Sequence, residues 1–394
     1  MIFNTFVYYA LFLFPSAILF RVVPSALKGW VCALFGCFFF VYFATIQFSG
    51  WLGAACVFIF LWEATFRSLY RAKAKACIAG VLVSIGVLSV FKYWNFATDL
   101  LFLGRGSNSL HWDSAFLPLG VSFFTFEFIH YAVDRYRGKV EKGSASEYLA
   151  FIFFFPTMVA GPIKRFQDFV VCLRNPSTDW QLDWNRGITR ILVGLAKKFA
   201  IADLLSSLSN HLNQEDINLA DRWVLVVWLF AYGWKIYFDF SAYSDIAIGS
   251  GRLFGIKIPE NFDWPYTRTD IASFWRHWHI SLYKWLVDYI FIPLGGSRVA
   301  PWRISCNVMV VMLVSGLWHG AALNFLVWGA WHGMLLVVHR WWISLQSRDV
   351  QVPHSFAYRT MSWLLTYTMV NLGWAFFAMD LETAALFFKK LLVG

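Results

Sequence analysis

Long apolar runs separated by short polar or basic segments repeat along most of the 394-residue chain. The hydrocarbon core of a bilayer, about 30 Å thick, requires about 20 helical residues to cross it. Runs of suitable length predict ten transmembrane helices, at residues 3–20, 30–48, 51–66, 76–93, 117–134, 147–163, 222–240, 304–322, 324–340 and 360–379. Two shorter segments, 187–205 and 281–294, are predicted to be re-entrant or interfacial helices.

The pattern predicts an all-α polytopic membrane protein with ten to eleven transmembrane helices. No repeat, low-complexity tract or linker divides the chain, and the longest clearly polar stretch, about residues 164–186, is too short to fold alone. We therefore expect one membrane-embedded domain over residues 1–394. The first apolar run lacks the basic start and the cleavage site of a signal peptide, so we expect it to be a retained first span.

The basic loops predict the orientation of the spans. The loop at residues 66–75 contains Arg67, Arg71, Lys73 and Lys75 and no acidic residue, so it is expected on the cytoplasmic side. Counting spans from this loop places the N-terminus outside. The same count places the basic residues that follow the span at 117–134 inside, so the loops agree on one topology.

Composition excludes several classes of protein. Hydrophobic residues make up 59% of the chain and charged residues only 14%, which is too few charges for a soluble enzyme or a disordered chain. The 22 tryptophans and 16 tyrosines are typical of contacts with the lipid interface. The net charge of +10 comes from residues scattered between apolar runs, so no nucleic acid partner is expected. No cysteine or histidine spacing predicts a metal site.

Polar side chains inside apolar runs are the candidate functional residues, because each costs about 2.5–3.5 kcal/mol at the centre of a membrane helix. The strongest candidate is His319, which follows ten residues with Ser315 as their single polar member and is flanked by Gly316 and Gly320. A neutral imidazole there can act as a general base. The alternative is a histidine that only forms hydrogen bonds between helices.

A second candidate region alternates tryptophans with basic residues. Trp275, Arg276, Trp278 and His279 lie in this region, which continues to Asp288. Arg276 is placed to meet phosphates, and His279 is placed to assist the chemistry. The alternative is a tryptophan- and arginine-rich anchor at the membrane surface.

Further polar residues break the apolar pattern elsewhere. Asp239, Tyr243 and Asp245 end the long run at 222–240, where they either cap a broken helix or line a polar path to the histidine. His332 lies between Gly329 and Gly333, in surroundings similar to those of His319.

Glu127, His130 and Asp134 share one helix face because they are three and four residues apart. We expect them to form hydrogen bonds between helices, and a proton relay is the alternative.

Several sequence blocks in order resemble the membrane-bound O-acyltransferases. They are most similar to the bacterial branch that contains the alginate O-acetylation and teichoic acid D-alanyl transfer proteins. The blocks are PLGVSFFTFE (118–127), AGPIKRF (160–166), YFDFSAYSDIAIG (237–249), FWRHWHISLYKWLVDYIFIPLGGSR (274–298), GLWHG (316–320) and WGAWHG (328–333).

The resemblance implies a fold and two catalytic histidines. His319 matches the invariant intramembrane histidine of the family, and His279 matches its second motif position. The family fold is a ring of tilted helices around a thin centre, where a tunnel joins a cytosolic donor to an acceptor on the other side. Residues expected to contact the donor or line the tunnel are Arg276, Trp275, Trp278, Trp318, Asp239, Tyr243, Asp245 and His332.

The resemblance also implies substrates and partners. The donor is expected to be acetyl-CoA or an acyl carrier thioester, with no tightly bound cofactor. The protein is expected in the bacterial inner membrane, in contact with lipid. A periplasmic partner of the SGNH-hydrolase type would pass acetyl to an exported polysaccharide, beside a synthase or secretion complex. The polymer and the acyl group, acetyl or D-alanyl or longer, stay open.

Two other functions are compatible with the pattern. A transporter or flippase for a polysaccharide or lipid precursor would also have many spans with polar residues at their centres, although such proteins often show inverted repeats, which this sequence lacks. A scaffold for a secretion complex is the third possibility.

Overall fold

The computed structural model describes residues 2–47, 74–102, 119–141, 143–346 and 355–393. These residues form helices joined by turns, and there is no strand among them, which confirms the all-α prediction. The chain divides into two compact units. Unit 1 consists of Met1–Leu195 and Tyr243–Pro259, and unit 2 consists of Ala196–Ala242 and Glu260–Gly394. That the whole chain is one domain stays a prediction.

Helices follow one another along the whole described chain. The first nine are α1 (Phe14–Val22), α2 (Ser25–Gln47), α3 (Ala74–Leu88), α4 (Trp94–Phe102), α5 (Val121–Tyr136), α6 (Ala145–Ile152), α7 (Phe155–Met158), α8 (Phe166–Arg174) and α9 (Trp180–Ala196). The others are α10 (Asp203–Ser209), α11 (Gln214–Leu219), α12 (Arg222–Leu253), α13 (Ile271–His277), α14 (Ile280–Leu286), α15 (Pro301–His319), α16 (Leu323–Gln346), α17 (Phe356–Ala378) and α18 (Leu381–Val393). Short 3₁₀ or π-helical segments are Ile2–Asn4, Tyr8–Leu13, Ser89–Tyr93, Lys197–Ala202, Pro265–Thr267 and Val287–Phe291.

Four helical stretches in the described part are long and apolar enough to cross a bilayer. They are Ser25–Phe43, Ala74–Phe102, Arg222–Leu253 and Pro301–His319. The chain is therefore a multi-pass membrane protein, whereas the count of ten to eleven spans and the external N-terminus stay predictions. The predicted span 51–66, part of the span 117–134 and most of the basic loop used for orientation lie outside the described residues.

The predicted span at 147–163 is wrong. Helix α6 ends at Ile152, α7 has four residues, and the chain from 159 to 165 is not helical. Pro156 explains the break, because a proline has no N–H to donate and its ring would clash with the carbonyl of Ile152 one turn earlier.

The alternative in which Asp239, Tyr243 and Asp245 cap a broken helix is also wrong. Helix α12 continues without interruption from Arg222 to Leu253, so Asp239, Tyr243 and Asp245 do not cap a helix end. The segment 187–205 likewise belongs to one helical stretch from 180 to 209, longer than the sequence predicts. Charged residues within these stretches made the helices look shorter in the sequence. The side chains that pair with these charged residues are distant in sequence, so the sequence pattern does not reveal the pairs.

A buried polar cluster in unit 1 forms around α5. Glu127 forms an ion pair with Lys164, and both side chains are almost fully buried. His130 Nε2 accepts a hydrogen bond from the backbone N–H of Phe166 at 2.8 Å, and its Nδ1 lies 3.4 Å from Asp134 Oδ2. The expected hydrogen bonding between helices is thus confirmed, because Phe166 begins α8.

Removing one partner of this buried ion pair is expected to destabilise the protein. Lys164→Met leaves the Glu127 carboxylate buried without its cation, which typically costs about 3–5 kcal/mol. The double variant Glu127→Gln with Lys164→Met leaves no unpaired charge and should recover most of that loss. Thermal unfolding in detergent measures both, and equal melting temperatures for the single and double variants would contradict the expectation.

Candidate functional site

The hairpin of α15 and α16 positions the strongest candidate residue. Helix α15 ends at His319, and α16 begins four residues later. A methyl group on Gly316 would lie 2.2 Å from the backbone oxygen of Phe325, and one on Gly329 would lie 2.4 Å from that of Met312. These distances exclude any side chain, so the two glycines allow the helix backbones to touch and thereby fix the position of His319.

Aromatic rings surround the partly buried His319. Its ring centroid lies 4.6 Å from that of Trp318, 5.1 Å from that of Trp328 and 4.9 Å from that of Phe377. All three contacts are edge-to-face. Rings packed in this way hold the imidazole in a fixed orientation.

His279 occupies a strained position between α13 and α14. Its φ of 44° and ψ of 55° lie in the left-handed region, which is uncommon for a residue with a side chain and often marks a functional site. The side chain is buried, with its ring centroid 4.6 Å from that of Phe240. Its Nδ1 lies 3.2 Å from Asn261 Oδ1. Its Nε2 has no hydrogen-bond partner among the described residues.

Trp318 connects the two candidate catalytic histidines. Its ring centroid lies 6.0 Å from that of His279 and 4.6 Å from that of His319. Both histidines belong to unit 2, although they are 40 positions apart in the sequence. The structure therefore places His279 beside the GLWHG motif, which contains both Trp318 and His319.

A cavity of about 1040 Å³ lies beside His279 in unit 2. Helices α13 to α16 and the segment between α14 and α15 provide its wall, which includes the predicted residues Trp275, Arg276, Trp278 and His279. Its volume is at the upper end of the range for small-molecule sites, about 300–1,000 Å³. Arg276 is exposed and donates a hydrogen bond to Ser273 Oγ at 2.8 Å. Trp318, His319 and His332 are not part of the wall.

His332 is fully buried behind the cavity wall. Its ring centroid lies 5.0 Å from those of Trp275 and Trp328, and 6.1 Å from that of Trp374. Within the described part of the chain, neither of its ring nitrogens has a hydrogen-bond partner. Trp275 lines the cavity and also contacts His332, so its ring lies between His332 and the cavity.

The other predicted residues have partners within their own units. In unit 2, Asp239 Oδ1 pairs with Lys198 Nζ at 2.8 Å. In unit 1, the ring of Tyr243 packs against that of Phe3, and Asp245 Oδ1 accepts a hydrogen bond from Arg190 Nε at 2.6 Å. A polar path along these three residues to the histidine stays a prediction. No cluster of metal-ligating side chains occurs in the ranges that the structure describes.

Sequence reasoning missed two residues of the site. Trp328 is fully buried and its ring contacts those of His319, His332 and Trp275. A tryptophan in an apolar helix gives no signal, although its place in the WGAWHG block could have indicated it. Asn261 contacts His279 across 18 residues of irregular and short helical chain, and nothing in its surrounding sequence indicates that contact.

Known proteins similar to this chain share its motifs. The sequence model of the membrane-bound O-acyltransferase family matches residues 107–373. A probable alginate O-acetylase of Pseudomonas aeruginosa is 37% identical over 320 residues, covering 80% of this chain and 59% of its own length. A peptidoglycan O-acetyltransferase of Helicobacter pylori is 32% identical over 344 residues, covering 78% and 62%.

A teichoic acid D-alanyltransferase of Bacillus subtilis is 26% identical over 352 residues, covering 82% of this chain and 84% of its own length. The chain spans about three fifths of the length of the alginate and peptidoglycan relatives. The match to the family covers both histidine motifs. The chain therefore belongs to the membrane-bound O-acyltransferase family.

Proposed function

We propose that this chain is a membrane O-acyltransferase that moves an acetyl group from a cytosolic thioester across the inner membrane, for O-acetylation of an exported cell-surface polysaccharide. The main support for the proposal is that the buried His279 and the partly buried His319 both lie against Trp318, next to a large cavity. The names of the relatives refer to alginate, peptidoglycan and teichoic acid, which favours a polymer with free hydroxyl groups as the acceptor.

His319 acts as the general base. It takes the proton of the acceptor hydroxyl while the hydroxyl oxygen attacks the thioester carbonyl. His319 then gives this proton to the departing thiolate. Such proton transfer is worth about 10²–10⁴-fold in rate. The apolar rings around His319 reduce the access of water to the reacting groups, which limits hydrolysis of the thioester. The proposed chemistry requires neither a metal ion nor a tightly bound cofactor.

The cavity binds the donor. Acetyl-CoA and acyl carrier proteins present the thioester on a long pantetheine arm, which requires a deep cavity with a basic entrance. Arg276 and Arg340 on the wall supply positive charge for phosphate groups. The apolar part of the wall, formed in part by Leu282, Leu286 and Val311, suits the arm itself.

The donor side is proposed to face the cytosol, in a bacterial inner membrane with the N-terminus outside. We propose a periplasmic partner of the SGNH-hydrolase type that passes the acetyl group to the polymer, together with a synthase or secretion complex. Surrounding membrane lipid is the third partner. Co-purification from membranes tests the protein partners, and recovery of the chain alone under gentle extraction would contradict them.

Filling the cavity is expected to weaken donor binding. Val311 lies on the cavity wall, so Val311→Trp should raise the donor KM by about tenfold, a loss of about 1.4 kcal/mol in binding, with a smaller change in kcat. The neighbouring Val310 is exposed and is not on the wall, so Val310→Trp is the matched control and should leave KM unchanged. Equal KM values for both variants would place the donor elsewhere.

Mass spectrometry of the cell-surface polysaccharide tests the proposed function as a whole. Cells that lack the protein should lose O-acetyl esters from one polymer, and the wild-type gene should restore them. Loss of the polymer itself, with unchanged acetylation of what remains, would instead indicate a transporter, flippase or secretion scaffold.

A further inference from the structure

Asn261 holds the carboxamide oxygen that three donors approach. The backbone N–H of Ser281 lies 3.3 Å from Asn261 Oδ1, the Ser281 hydroxyl lies 2.6 Å from it, and His279 Nδ1 lies 3.2 Å from it. The backbone oxygen of Asn261 also accepts a hydrogen bond from Ile280 N–H at 2.9 Å. Asn261 is fully buried, and these hydrogen bonds connect it to His279, Ile280 and Ser281, which form the turn.

This geometry determines which nitrogen of His279 carries the proton. A backbone N–H can only donate, so the carboxamide atom facing Ser281 N–H is the oxygen and not the nitrogen. The Nδ1 atom of His279 faces the same oxygen and must therefore be the protonated nitrogen. In the neutral ring, Nε2 then carries the lone pair, and it has no hydrogen-bond partner among the described residues.

We infer that Asn261 is a positioning residue that fixes His279 as a proton acceptor through Nε2. The left-handed backbone of His279 supports this, because a strained conformation persists only where its surroundings hold it, and Asn261 supplies four of the bonds in this turn. In this state the Nε2 atom of His279 accepts a hydrogen bond from an N–H or O–H group. It carries no proton, so it cannot donate a hydrogen bond to an oxyanion. The amide N–H of a pantetheine arm in the neighbouring cavity is a group of that class.

This inference rests on the proposed function only for its kinetic test. We expect Asn261→Ala to lower kcat/KM by about 10–100-fold, the range for residues that orient another functional side chain. Asn261→Asp keeps an oxygen facing Nδ1 and adds a negative charge. That charge stabilises the protonated ring, so neutral His279 would be present only at higher pH.

The acid limb of the pH–rate profile is therefore expected to move to higher pH in Asn261→Asp. The rings that face His279 are those of Phe240 on α12 and Trp318 on α15, and neither of them titrates. The titratable groups next to these two rings in the sequence are Asp239, which pairs with Lys198, and His319. The titratable groups on α13 and α14 are Arg276, His277, Tyr283 and Lys284. Glu260 and Asp263 flank Asn261, and Asp263 Oδ2 lies 3.5 Å from His277 Nε2.

Asn307→Asp is the matched control. Asn307 is also buried, and its side chain donates to the backbone oxygen of Leu294 at 3.1 Å rather than to His279. This variant tests whether a buried asparagine-to-aspartate change alters the profile by destabilising the protein. We expect its acid limb to coincide with that of the wild type.

Nitrogen-15 NMR of the histidines provides a readout without catalysis. In protein labelled with ¹⁵N-histidine, the signal lost in His279→Gln identifies His279. We expect that signal to show Nδ1 protonated in the wild type and a mixture of tautomers in Asn261→Ala. An Nε2-protonated wild-type ring, or an acid limb in Asn261→Asp that coincides with the wild type, would overturn the inference. Absence of acyl transfer by the wild type with the expected NMR signal would instead overturn the proposed function.

Discussion

Replacing His319 by alanine is expected to lower the rate of acyl transfer by about 10²–10⁴-fold, because the acceptor hydroxyl loses its general base. The protein should still fold, since the ring of His319 is only partly buried and its neighbours Trp318, Trp328 and Phe377 also pack against other residues. The loss should appear in kcat and in kcat/KM alike, because the missing interaction is made in the transition state.

His211→Ala is the matched control for this variant. His211 is an exposed histidine of unit 2 that stacks on Trp228 and pairs with Asp216 at 2.8 Å, outside the candidate site. Initial rates with a labelled thioester donor, together with melting curves in detergent, compare the three proteins. Wild-type turnover by His319→Ala would contradict the assignment, and an equal loss in His211→Ala would show that any histidine change disturbs the assay.

Replacing Gly316 by valine is expected to abolish activity and to lower the melting temperature. The new Cβ would lie 2.2 Å from the backbone oxygen of Phe325, so α15 and α16 must move apart. Overpacking of this kind typically costs about 1–3 kcal/mol or more. Separation of the two helices would also move His319 away from Trp328, which explains why activity should fall more steeply than stability.

Gly86→Ala is the control for the glycine change. Gly86 lies inside α3, and no described atom lies within 4 Å of a methyl group added there. Alanine should therefore be neutral or stabilising, since it favours a helix over glycine by about 1 kcal/mol. Melting curves and transfer rates measured side by side test the pair. Normal activity in Gly316→Val would show that the hairpin contact does not position His319.

The apolar pattern predicted the helices well where polar residues were few. The runs at 30–48, 304–322 and 324–340 correspond to α2, α15 and α16. The pattern failed where local chemistry outweighs hydropathy. Pro156 interrupts the helix in the apolar run at 147–163. A proline has no backbone N–H to donate, and hydropathy alone does not show the loss of that helical hydrogen bond.

Charged residues misled the prediction in the opposite direction. Asp239 and Asp245 suggested an interrupted helix, yet α12 continues through both, because Lys198 and Arg190 neutralise them from distant positions in the sequence. Such pairing depends on the tertiary fold, so a single sequence does not reveal it.

The candidate site was predicted in outline for a physical reason. His319 and His279 stand out because a histidine in an apolar run needs a partner or a function. The residues that position them do not stand out. Trp328 is one apolar residue among many, and the role of Asn261 exists only after the chain folds back onto the turn at His279.

Acyl transfer across reconstituted vesicles tests the central claim most directly. Purified protein in vesicles receives acetyl-CoA labelled in its acetyl group on one side and a saccharide acceptor on the other, with the periplasmic partner present. We expect labelled ester on the acceptor, an equal amount of free CoA on the donor side, and loss of both with His319→Ala. Equal yields from His319→Ala and wild type, or passage of acetyl-CoA with its thioester intact, would contradict the account.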